Sequence, residues 1–189
     1  MRIILYLIVL IVSSYSNLAA SSQLTEVEGT IKLVSELIVS NKWNLAKEKL
    51  ESLDHKFNSD FKGLRYLAWS SWYGARDNPY FDMDASVNLI KEAAETGFWK
   101  ANVLLIGIYI FSNDTKFINY SKGVELAKEL FPYLLIKVSS TEEKNAQLHR
   151  TIGKFYIFGI GVDKNIKEGI SYIRIAAELG DIEALSYFE

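Results

Sequence analysis

The 189-residue chain has no cysteine and only two histidines, His55 and His149. Without cysteine it has no disulfides, no thiolate nucleophile and no sulfur-rich metal site. The histidines are too far apart in sequence for metal-ligand spacing, and each sits in a helix-patterned stretch among polar neighbours. A G-x-S-x-G elbow is missing, and so is a phosphate-binding loop with its lysine. Gly159-Ile160-Gly161 is too short for a nucleotide loop: no strand pattern precedes it, and a third glycine is lacking. Long runs of one charge are absent as well, which argues against a nucleic-acid surface or a basic membrane patch. The alternation of period two that marks strands is almost entirely missing.

What is present begins with a short basic and apolar start. Met1-Arg2 is followed by an unbroken apolar run from Ile3 to Val12, and Asn17-Leu18-Ala19-Ala20 ends in small residues. This is the layout of a secretory signal peptide over residues 1–20, with cleavage expected after Ala20. The run is too short to cross a bilayer as a helix, which needs roughly twenty residues. An uncleaved anchor is the alternative. With no cysteine at the cleavage point, attachment of a lipid there is excluded. Removing residues 1–20 takes away one arginine and no acid, leaving 20 basic against 23 acidic residues. A cysteine-free exported protein holds its helices by packing alone, which suits a bacterial periplasm.

The rest of the chain carries helical spacing. Leu24, Val27, Ile31, Val34, Leu37 and Ile38 form one apolar stripe, with Thr25 and Glu28 in capping-box positions at its start. Asn41-Lys42 interrupts it, and Trp43, Ala46, Leu50 and Leu53 form a second stripe. Residues 21–58 therefore read as an N-terminal helical hairpin. Phe61 to Arg76 is the next helix, stopped by Asp77-Asn78-Pro79. Asp84 is expected to cap a helix running to Gly97.

Two boxes, Ala93-Ala94-x-x-Gly97 and Ala176-Ala177-x-x-Gly180, stand 83 residues apart, two periods of about forty. Alanines let helices approach closely, and the glycine takes the left-handed turn that ends a helix. Between the boxes lies a degenerate unit. Ala101, Leu105 and Tyr109 precede a turn at Ser112-Asn113-Asp114. A second helix from Lys122-Gly123 then continues past Pro132 to Ser139-Ser140, and Thr141 is the expected N-cap of the next helix. The last unit has helices near 142–158 and 166–179, and a further helix starts at Asp181.

The last unit reads Ile152-Gly153, Tyr156, Gly159-Ile160-Gly161-Val162-Asp163, Tyr172, Ala176-Ala177, Gly180, Ala184. This pattern resembles a Sel-one-like repeat, a relative of the tetratricopeptide repeats. The resemblance covers residues 59–189, and the hairpin before it looks tetratricopeptide-like. It implies an all-α fold, a right-handed α/α solenoid of helix-turn-helix repeats that serves as a non-enzymatic adaptor. Short exported members include periplasmic immunity proteins that bind a toxin, phospholipase toxins among them, and regulatory or envelope adaptors.

The carboxylate pairs Glu92 with Glu95, Glu125 with Glu129, and Glu142-Glu143 read as solvated helix faces, and Asp82 and Asp84 as turn and cap residues. No catalytic, cofactor or metal residue is assigned. The candidate contact residues are aromatic. Trp69, Trp72 and Tyr73 share a helix with Tyr66, and because adjacent Trp72 and Tyr73 diverge around its axis, one of the two is expected at the edge of the buried stripe. Tyr80 and Phe81 fall in a loop outside any apolar pattern. Such side chains are either folded over the repeat or exposed as contacts for a protein partner. Trp72, Tyr80 and Phe81 are the expected partner-binding residues. The expected role is immunity or inhibition in the periplasm, with envelope assembly or regulation as the alternative. Neither nucleic acid nor stable membrane insertion after signal cleavage is expected.

Overall fold

A computed structural model describes residues 18–57, 61–140 and 145–188, and every regular element among them is helical. The helices are α1 (Leu18–Val39), α2 (Trp43–Lys56), α3 (Lys62–Gly74), α4 (Met83–Glu95), α5 (Trp99–Phe111), α6 (Tyr120–Ser140), α7 (Ala146–Phe158), α8 (Ile166–Glu178) and α9 (Ile182–Leu185). Neighbours in sequence pack as pairs. One compact unit ends at Leu105 and another starts at Ile106, inside α5. Of the segment expected to be a signal, residues 1–17 lie outside the described residues, and so does Thr141. Among the described residues no helix is long and apolar enough to cross a membrane.

In the first unit the α1 stripe is the buried one: Val27, Ile31 and Val34 are fully enclosed. Helix α1 is already formed at Leu18, the first described residue, so Thr25 lies within it and is not its N-cap. Leu18-Ala19-Ala20 are good helix formers, and the helix runs through them into the expected stripe. Asn41 takes a left-handed conformation (φ 56°), and Lys42 N–H donates back to Leu37 O at 2.8 Å, which closes the α1–α2 turn. Helix α2 answers with Ala46, Leu50 and Leu53, and its Asp54 accepts from Arg65 and, at 2.7 Å, from Trp69 Nε1 on α3. The cap of α4 is Asp82, not Asp84: Asp82 Oδ1 accepts from Ala85 N at 2.9 Å. Asp84 lies within the first turn, where its charge suits the positive end of the helix.

In the second unit α6 runs through Pro132 and buries Ala127, Leu130, Phe131 and Leu134. Asn145 caps α7 by accepting from Leu148 N at 3.0 Å. The segment after Asp181 is helical only over Ile182–Leu185. Asp181 caps it and also accepts from Arg150 Nε at 2.9 Å, a pair with little access to solvent. Arg150 and Lys154 both reach Glu183, so charge-assisted bonds tie α9 to α7.

The spacing of 83 residues reappears as matched geometry in the two hairpins, each within its own unit. Asp82 and Asn165 are equivalent N-caps. Asp82 N–H donates to Tyr73 O at 3.0 Å, and Asn165 N–H to Tyr156 O at 2.9 Å. Gly97 and Gly180 both end their helices with positive φ, at 80° and 85°. At the helix crossing, Ser86 Oγ donates to Ser70 O at 2.8 Å. The equivalent residues are Gly169 and Gly153, where a Cβ on Gly153 would come within 2.8 Å of Gly169 O. The same close approach is thus made once by bonded serines and once by bare backbone.

Candidate interaction site

The aromatic cluster of the first unit is built outward from Trp72. Its place on α3 puts it in the core, 2 % exposed, and its Nε1 donates to Trp43 O at 3.1 Å. Trp72, expected to touch a partner, is enclosed instead, and of the two neighbours it is Tyr73 that is half-buried. Trp69 and Tyr73 pack edge-on against the Trp72 ring, with ring centroids 5.7 and 4.9 Å away. Its remaining face is covered by Tyr80, stacked at 5.5 Å with an interplanar angle of 20°.

Tyr80 reaches that position because of Asn78. The Asn78 side chain is buried in the loop, donates from Nδ2 to Trp72 O at 2.6 Å and accepts from Tyr80 N at 3.0 Å. Phe81 N–H donates to Asn78 O at 2.9 Å. These bonds use the loop's polar groups internally, and Pro79 restricts φ in the middle of it. The loop is therefore a fixed platform. On it, Tyr80 and Phe81 remain 55 % and 44 % exposed. The sequence marks Asn78 only as part of a helix stop, and nothing in the local pattern announces that its amide carries the loop.

A shallow cleft of about 370 Å³ runs beside Tyr80 and Pro79 and is lined on its other side by Asn41, Lys42, Trp43, Asn44 and Leu45. Leu45 is exposed at this edge. Tyr80, Leu45 and part of Trp43 thus give an apolar surface, with Lys42 and two asparagines beside it and Phe81 exposed next to Tyr80 in the loop. This mixture of aromatic anchors and a polar rim is what protein interfaces use.

Reactive chemistry has no comparable arrangement among the described residues. No group of three or more His, Asp or Glu is placed to hold a metal ion. His55 is exposed, and His149 Nδ1 lies 2.9 Å from Asn145 O beside the Tyr172 ring. The Tyr172 and Tyr187 hydroxyls are raised above the usual tyrosine range, first by burial and then by neighbouring Tyr156 and Glu168 for Tyr172 and by Glu183 for Tyr187. Both are therefore weaker acids than an ordinary tyrosine. Comparison with protein-family models, curated proteins and solved structures gave no match to this chain.

Proposed function

We propose that the chain is an exported, non-enzymatic protein-binding module that holds a partner on the Tyr80–Phe81 platform and the adjoining cleft. One observation carries this reading. The α7–α8 hairpin closes the same backbone bond with Gly159 and Gly161 and has no aromatic residue in its turn, so closure does not require Tyr80 and Phe81. Their exposure on a loop fixed by Asn78 is the pattern of an anchor prepared for contact.

The Sel-one-like spacing supports a right-handed α/α solenoid as the arrangement of the paired helices. A stack of that kind offers a surface for one protein rather than a pocket for a reaction. With the amino-terminal signal pattern, the sharper reading is a periplasmic immunity or inhibitor protein that neutralises a toxin, a phospholipase among the candidates. An envelope-assembly or regulatory adaptor is the second reading, and the same repeat pattern favours it equally.

The test is co-production of the chain from Ser21 with a toxin encoded beside its gene. The wild-type chain is expected to bind the toxin and protect the cell, and Tyr80→Ala/Phe81→Ala to lose both properties while keeping its helicity. A toxin that stays unbound and lethal beside the wild-type chain overturns the immunity role.

A further inference from the structure

The cleft beside Tyr80 carries charge of one sign. Among the described residues that line it, Lys42 is the one charged side chain, and there is no acid. Lys42 is exposed and makes no ion pair among the described residues. On the helix that follows it, Lys47 and Lys56 are paired, with Glu51 and Glu26. Lys42 also stands at the N-cap position of α2, where its side chain offers no acceptor and its charge opposes the helix dipole. The helix start thus adds to the sign that Lys42 sets, and an acidic group from outside relieves both.

The rest of the cleft is apolar or neutral. One face of the Tyr80 ring rests on Trp72, which leaves the other for contact, and Leu45 is exposed on the opposite wall. The Asn41 and Asn44 side chains are exposed and make no hydrogen bond among the described residues. Each amide can both donate to and accept from a peptide backbone. At about 370 Å³ the cleft is at the small end of ligand pockets, so a short segment fills it.

We infer, on the platform reading above, that the cleft takes a segment of the partner in which an acidic side chain stands next to a large apolar one. The carboxylate is matched to Lys42, and the apolar group to Tyr80 and Leu45. A basic segment sets like charges together, and a neutral one leaves Lys42 without a counter-charge. One exposed ion pair adds little affinity. The apolar wall therefore holds the segment and the charge selects it.

NMR titration of the isotope-labelled chain from Ser21 with two capped tripeptides tests this, read at the Trp43 indole and the Leu45 amide. The probes are acetyl-Leu-Glu-Phe-amide and acetyl-Leu-Gln-Phe-amide. The acidic peptide should bind about threefold more tightly than its neutral twin at low salt. That gap should close near 1 M salt, where the Debye length is about 3 Å. Lys42→Gln should bring the acidic peptide to the level of the neutral one, and Tyr80→Ala should weaken both. Circular dichroism should stay unchanged, because both positions are exposed. Equal binding of the two peptides by the wild-type chain overturns the inference. So does a preference that survives Lys42→Gln, or the absence of shifts at the cleft with either peptide up to about 10 mM.

Capture of the whole partner separates this inference from the reading it rests on. A partner bound at unchanged affinity by Lys42→Gln but lost by Tyr80→Ala/Phe81→Ala removes the acidic segment and leaves the platform. A partner bound at unchanged affinity by both variants removes the platform as well.

Discussion

In the α3–α4 hairpin the chain turns through Asn78 and Pro79 and leaves two aromatic rings on the surface. In the α7–α8 hairpin it turns through Gly159 and Gly161, with no ring in the turn. Both turns end on equivalent N-caps and are closed by equivalent backbone bonds. The second turn is the spare version: Gly161 sits so close to α6 that a Cβ would meet the Ala127 carbonyl carbon at 2.6 Å. The first replaces that contact with a buried amide, which frees the loop to carry side chains outward. The hairpin plan therefore belongs to folding, and the departure from it is where the proposed partner contact lies.

The largest effect should come from removing the ring beneath the platform. Trp72 and its equivalent Phe155 are both core side chains, so either change to alanine should cost about 3–5 kcal/mol, read by denaturant unfolding. If Trp72→Ala costs under about 1 kcal/mol, the platform has no rigid base and the two hairpins are not alike. Next come the turn keys. Gly161→Ala meets backbone at positive φ (69°) and should lose about 3 kcal/mol. Asn78→Ala leaves Trp72 O and Tyr80 N without their bonds and should lose about 2 kcal/mol. Asn78→Ala should also weaken partner capture, because Tyr80 is no longer held, whereas Gly161→Ala should leave capture intact in the fraction that remains folded. Equal effects of the two on capture would remove the distinction between the hairpins.

Much of the helical plan can be read from spacing alone. The α1 stripe from Leu24 to Ile38, the Asn41 break, and the alanine boxes with Gly97 and Gly180 reflect local periodicity and backbone conformation, which the sequence states directly. Contacts between distant residues are not written that way. The Arg150–Asp181 pair spans 31 positions and Trp69–Asp54 spans 15, and neither has a local signature. Nor could the period locate Trp72: adjacent Trp72 and Tyr73 divide one helix face, and the Trp43 carbonyl on another helix decides which is enclosed. At the site, Tyr80 and Phe81 stand out because they break the pattern. Asn78 does not, because an asparagine before proline is ordinary turn chemistry.

The smallest expected effect is also the decisive one. Tyr80→Ala/Phe81→Ala should lower the melting temperature by less than about 4 °C, since exposed rings contribute on the order of 1 kcal/mol to folding. Measured beside Trp72→Ala by circular dichroism, the double variant should melt close to wild type while Trp72→Ala melts far below it. A double variant that falls as far as Trp72→Ala would mean that the two rings are part of the core, and that the loop exists for folding rather than recognition.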